Sequence, residues 1–147
     1  PIIGELVRET FAARASRTAS SLLTSGVPVL HVLEITEDVV GGANVFGKVI
    51  EDARERVKRG EPLSAAFIGQ THLYPVFMVD MLSVGEETGK VADMLRQVAE
   101  FYEEDVEQKT KDLSTVVEPV IMVIVGIFVG IFAVAMISPI YSLSSAI

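Results

Sequence analysis

Between Pro119 and Tyr141 the chain reads PVIMVIVGIFVGIFAVAMISPIY, 23 residues without a charged side chain. As an α-helix this run is about 34 Å long, enough to cross a hydrocarbon core of about 30 Å. Only Gly126, Gly130 and Ser138 interrupt its apolar character before Pro139. Core helices of soluble proteins are rarely this long and this uniformly apolar, so the run reads as a membrane span. Its place at the C-terminal end sets it apart from a cleavable signal peptide. The only charged side chain in 113–147 is Glu118, whereas all 12 Lys and Arg and 19 of the 20 Asp and Glu lie in 1–112. The chain is thus expected to have three parts: a charged, helical domain over 1–112, a transmembrane helix with its lead-in over 113–141, and a short external tail over 142–147.

Charge also sets the expected orientation. Lys109 and Lys111 lie just before the span and nothing basic follows it. The positive-inside rule therefore places 1–112 in the cytoplasm.

Several function classes drop out. The chain has no Cys, which excludes disulfide scaffolds, thiolate metal sites and cysteine nucleophiles. Its two His, His31 and His72, are too few for a multi-His metal site within one chain and read as structural residues. A net charge of −8 argues against nucleic acid as a partner. The first residue is Pro1 rather than Met, and no signal peptide opens the chain, so the expectation is a fragment or a processed chain.

Apolar residues in the charged part recur at helical spacing. Val7, Phe11, Ala15, Thr18 and Leu22 form one stripe that ends at Gly26. Val29, Val32, Leu33, Thr36 and Val40 form a second, ending at Gly41-Gly42. Phe46, Val49, Ile50, Ala53 and Val57 form a third, ending at Gly60; its other face offers the i,i+4 pairs Asp52–Arg56 and Glu55–Arg59. A short fourth helix is expected from Pro62 to Phe67, and a fifth from Pro75 to near Gly89. The sixth starts at Val91 and meets no breaker before Glu118-Pro119, where the missing N–H predicts a bend at membrane entry. The expected fold is all-α, a six-helix cytoplasmic bundle continuing into a C-terminal transmembrane helix. Gly26-Val27-Pro28 and Gly60-Glu61-Pro62 read as matching corners: Gly closes one helix in a left-handed turn and Pro pre-sets the next. Gly85 and Gly89 read as further structural turns.

No pattern carries catalytic chemistry. Gly85-Glu86-Glu87-Thr88-Gly89-Lys90-Val91 has three residues between its glycines where a phosphate loop has four, and Val follows Lys90 where that loop has Ser or Thr. Glu100, Glu103, Glu104 and Glu107 share a broad helix face and are the weak candidates for a divalent cation, for example one bridging to a second chain. The simpler reading is a solvated face, and no metal and no cofactor is expected. The exposed charges Arg56, Arg59, Glu103 and Glu104 are the candidate partner contacts. Gly126 and Gly130 form a GxxxG pattern inside the span, which lets a neighbouring membrane helix approach closely.

Read in order, several motifs together resemble a known family. They are Phe11–Val29 (FAARASRTASSLLTSGVPV), Val57–Leu63 (VKRGEPL), Tyr74-Pro75, Val84–Gly89 (VGEETG), Phe101–Glu104 (FYEE), Glu118-Pro119 and Ser138–Tyr141 (SPIY). The chain resembles the repeated domain of the polytopic inner-membrane platform proteins of type II secretion and type IV pilus assembly. Glu-Pro entering the span and Pro-Ile-Tyr leaving it resemble the second copy of that domain. The Met-Leu-x-x-Val-Gly-Glu-Glu phrasing leans slightly to the pilus branch. The resemblance implies a six-helix bundle and a multi-pass protein of the bacterial inner membrane, itself oligomeric and without enzymatic activity. It would couple a cytoplasmic hexameric ATPase to pilin or pseudopilin, beside other inner-membrane assembly subunits. Two other readings stay open: a membrane-anchored helical adaptor of another assembly, and a small transporter or channel subunit.

Six stripes, each needing a partner, predict that residues 1–112 fold without the span. Far-UV circular dichroism of that segment should show a predominantly helical spectrum with a cooperative melt; a disordered spectrum would contradict it.

Overall fold

Two corners of the chain are built alike. At the first, the Gly26 N–H donates to the Leu23 carbonyl (3.0 Å) and the Val27 N–H to the Leu22 carbonyl (3.1 Å). At the second, Gly60 N–H bonds the Val57 carbonyl (3.0 Å) and Glu61 N–H the Arg56 carbonyl (3.1 Å). Both glycines take φ 81°, a left-handed conformation that side-chain-bearing residues rarely adopt. Pro28 and Pro62 then stand one position outside the next helical segment, extended at ψ 140° and 143°, rather than inside its first turn.

The structure is a computed structural model that describes residues 2–147, with side chains from Ile3 onward. Five α-helices follow one another: α1 (Ile2–Thr24), α2 (Val29–Val39), α3 (Val45–Lys58), α4 (Val76–Thr88) and α5 (Val91–Ser144). The fourth expected helix is a single 3₁₀ turn, Leu63–Ala66, between α3 and α4. Too few residues separate Pro62 from Gly69, at φ 85°, to close a longer ladder. No β-strand occurs among the described residues. Asn44 opens α3 by accepting the Gly47 N–H on its side chain (2.8 Å). The chain divides into two compact units, one ending at Glu107 and the other Gln108–Ile147.

In the first unit α2 packs on α1 and α3, and the 3₁₀ turn packs on α3 and α4. The buried face of α1 overlaps the expected stripe only in part: Phe11 and Leu22 pack against the core without being fully buried. Val7 is exposed and Thr18 only half-buried, whereas Ala12, Ala15, Ser16, Ala19 and Ser20 are buried. The face turned inward is therefore the one with the smallest side chains. Small side chains let a helix axis come close, so the larger Val32, Leu33, Ile50 and Leu82 fill the space between. The residual space at the centre is about 20 Å³, lined by Ala15, Ala19, Leu33, Ile50, Leu82 and Leu95 among others. The Ser20 hydroxyl ties α1 to the start of α5 by donating to the Ala92 carbonyl (2.9 Å).

Tyr74 is fully buried and anchors an aromatic cluster. Its ring meets Phe46 and Phe67 edge-on, with centroids 5.9 and 5.1 Å apart, while Phe11 stacks on Phe46 at 4.1 Å. Its hydroxyl donates to the Phe46 carbonyl (3.0 Å), and burial pushes its pKa above the ordinary phenol value.

Gly85 is not a turn residue. It is buried inside the last turns of α4, where a Cβ would lie 2.8 Å from the Val91 Cα and 3.2 Å from the Met94 Cγ. Its missing side chain lets the start of α5 pass close by, and the turn itself is made at Gly89 (φ 71°). Gly85→Ala should therefore destabilise the first unit by about 1–3 kcal/mol. At Gly4, where nothing lies within 4 Å, the same change should be neutral or slightly stabilising. Urea unfolding of the 1–112 segment measures both.

Candidate functional site

The charged residues singled out from the sequence fall into three sets. Glu103 is held by Arg17: Nε and Nη2 of α1 donate to both carboxylate oxygens at 2.9 and 2.7 Å. This two-pronged bond, foremost, holds the Glu103 carboxyl below the usual carboxylate range and raises the Arg17 guanidinium. Glu103 thus fastens α5 to α1. Glu104, one position on, is exposed. Glu100 lies 3.7 Å from Arg96. Among the described residues no group of three or more His, Cys, Asp or Glu side chains is placed to hold a metal ion.

Arg56 and Arg59 sit at the end of α3 around Glu61. Arg56 bonds Asp52 (2.7 Å) and Glu61 (3.2 Å), and Arg59 bonds Glu61 (2.9 Å). The Asp52–Arg56 pair forms as its spacing predicts. Glu55 does not reach Arg59; it takes Lys58 instead, at 2.7 Å, and that bond is the main cause of its lowered pKa. His31 is exposed on α2 beside Glu34 (3.1 Å), and His72 is exposed in the loop before α4.

A clamp that sequence reasoning missed lies in the Val84–Gly89 stretch. The Glu86 carboxylate accepts the backbone N–H of Leu63 on one oxygen and that of Ser64 (3.0 Å) on the other. Those N–H groups open the 3₁₀ turn and have no partner within it. Glu86 therefore caps a turn 23 residues earlier, across the α4 interface. No local pattern announces a bond at that separation.

The second unit holds the remaining candidates. Every residue from 110 to 147 is exposed, including Ile121, Ile124, Phe128, Phe132 and Val134. Leaving such a surface in water forgoes about 25 cal/mol per Å² of apolar area. A helix long and apolar enough to cross a membrane supplies the missing solvent in lipid. Gly126 and Gly130 meet nothing within 4 Å, so that side of the helix is open to a partner. Ahead of Pro119, the hydroxyls of Ser114 and Thr115 donate to the carbonyls of Thr110 and Lys111, each at 3.0 Å. Such back-bonds slightly destabilise a helix and favour bending, at the place where Pro119 removes a donor and Glu118 stands exposed.

Comparison with known proteins gives this architecture a context. The family model of the type II secretion system (T2SS), protein F, matches residues 15–139. The chain belongs to that family. The type IV pilus assembly protein PilC of Thermus thermophilus is 34% identical over 97% of this chain, and that of Myxococcus xanthus 35% over all of it. Each match covers 35% of the relative. The type II secretion system protein F of Pseudomonas aeruginosa is 29% identical over the whole chain and 36% of its own length. The chain thus spans about a third of the length of these curated relatives. Family members are named as components of assembly and secretion systems, and the long apolar helix makes this chain a membrane protein of that family.

The Arg17–Glu103 pair carries a pH prediction. A carboxyl with a depressed folded pKa adds stability at neutral pH that is lost as pH falls through that depressed value. Glu103→Gln should be less stable than the native 1–112 segment at pH 7 by about 0.2–1 kcal/mol, since the pair is well exposed. The gap should narrow as pH falls out of the neutral range and close once it is below the depressed Glu103 pKa; urea titrations over an acid pH series measure it.

Proposed function

We propose that the chain is a non-enzymatic platform element of a type IV pilus or type II secretion machine in the bacterial inner membrane. The observation that carries this reading is the union, on one chain, of a charged helical unit with an unpartnered apolar helix, in a family whose members carry pilus-assembly and secretion names. In this reading residues 1–112 lie in the cytoplasm, and residues 113–141 cross the membrane with 142–147 outside. The full-length protein is multi-pass and self-associating. The helical unit receives the motion of a cytoplasmic hexameric ATPase, and the span passes it to pilin or pseudopilin helices beside other inner-membrane subunits. A channel or transporter is disfavoured by the span itself, which carries no polar side chain between Pro119 and Ser138.

Gly126 and Gly130 are the groove through which the span meets another helix. Lipid gives apolar helices no hydrophobic drive to associate, so close backbone contact matters there. Gly126→Leu or Gly130→Leu fills the groove without making the span less apolar. Each should leave membrane insertion intact and lower pilus or secretion output about tenfold, equivalent to about 1.4 kcal/mol of lost contact. Val129→Leu, on another face, should leave output unchanged. Equal behaviour of the three at matched membrane levels would show that the span is an anchor only.

A further inference from the structure

The chain's net charge is concentrated in one helix pair. Residues 76–107 hold nine acids and two bases, a net charge of −7 out of the chain's −8. Residues 1–75, with nine acids and eight bases, are nearly neutral. The concentrated segment comprises α4 and the part of α5 within the first unit.

On the outer side of that pair lie aromatic side chains a soluble domain would be expected to bury. Phe77 of α4 and Phe101 of α5 have ring centroids 5.0 Å apart, yet they are 39% and 53% exposed. Val84 continues the strip along α4 at 45% exposure. Helical spacing places carboxylates beside it. Asp80 is one turn from Phe77 and Glu104 one turn from Phe101, both exposed, on the sides of their helices turned away from the buried Leu82 and Val98. The apolar seam is therefore flanked by an exposed carboxylate on each helix, Asp80 on α4 and Glu104 on α5. Glu86 and Glu103 belong to the same segment but are spent on Leu63, Ser64 and Arg17.

The geometry points to this seam, centred on Phe77 and Phe101, as the docking surface for a different protein that presents a bulky apolar side chain flanked by Lys and Arg. Charge argues against a second copy and against the membrane surface. A symmetric contact between two copies would bring two strongly acidic segments together, and like charges facing each other cost several kcal/mol. The cytoplasmic leaflet is anionic and repels the same surface. A cationic partner gains on both counts: the carboxylates speed and orient its approach, and the aromatic pair supplies the anchor that is desolvated on contact. Such a surface suits a platform, but its chemistry does not depend on that role.

The test uses the full-length protein in its own membrane. Photoreactive benzoylphenylalanine is placed at position 101, at position 77, or at the exposed control position Val45, and the adducts are sequenced. Positions 77 and 101 should cross-link to a segment of another protein that is net basic and carries an apolar residue at the site of attachment; position 45 should not. Adding Asp80→Lys together with Glu104→Lys should lower the adduct yield at least tenfold at an unchanged protein level. Adducts to a second copy, to lipid or to a neutral or acidic segment, no adduct, or a yield indifferent to charge reversal would each overturn the inference. Pilus or secretion output is scored in parallel. Adduct formation in a cell whose output does not need this protein would remove the platform reading alone. Output that needs the protein but survives without the adduct would remove the docking surface alone.

Discussion

The interior of the helical unit depends on how close α1 can come to its neighbours. Ala12, Ala15, Ser16 and Ala19 offer nothing larger than a methyl or hydroxymethyl group, and all are buried. Four larger side chains on that face would hold the other helices off. The space they close around is down to about 20 Å³, so little slack remains to absorb extra volume. Gly85 applies the same principle at the α4–α5 turn, where backbone passes backbone. Both cases trade side-chain volume for proximity, and the bulk is supplied from opposite, by Ile50, Leu82 and Tyr74.

Polar bonds do the registering. Glu86 fixes α4 against the 3₁₀ turn, Arg17–Glu103 fixes α1 against α5, and Ser20 fixes α1 against the first turn of α5. The exposed pairs around Arg56 and Lys58 stay on or beside one helix and contribute little to stability. This division matters for function. The charges free to meet a partner are those outside the registering set, so Glu104 remains available where Glu103 does not.

The corners were legible because their physics is local. Gly26, Gly60 and Gly89 take positive φ, and Pro28, Pro62 and Pro75 stand at helix entries. The span was legible because its apolarity needs no partner to be recognised. The inward face of α1 was legible only in part. Helical spacing picked the buried Ala15, and Phe11 and Leu22 pack against the core, but it also picked the exposed Val7 and passed over Ala12, Ser16 and Ala19, since closeness as well as transfer energy decided which residues went in. Gly85 was misread as a turn because its reason, the backbone of Val91, appears only once the hairpin closes. Arg17–Glu103 and Glu86–Ser64 join residues 86 and 22 apart, which no periodicity reveals. The mutual place of Phe77 and Phe101 likewise needs the α4–α5 pairing.

Everything proposed for the chain's role rests on residues 113–141 crossing a membrane, with residues 1–112 on its cytoplasmic side and the tail outside. These 147 residues hold no Cys, so in full-length protein with any Cys elsewhere replaced by Ser a single introduced thiol reports its own location. Ser21, exposed on α1, and Ser145, exposed past the end of α5, are suitable positions. In intact cells a membrane-impermeant maleimide should label Ser145→Cys from outside, and Ser21→Cys only after the inner membrane is opened. Labelling of Ser21→Cys in intact cells, or protection of Ser145→Cys once the outer barrier is breached, would contradict the proposed topology and with it the platform.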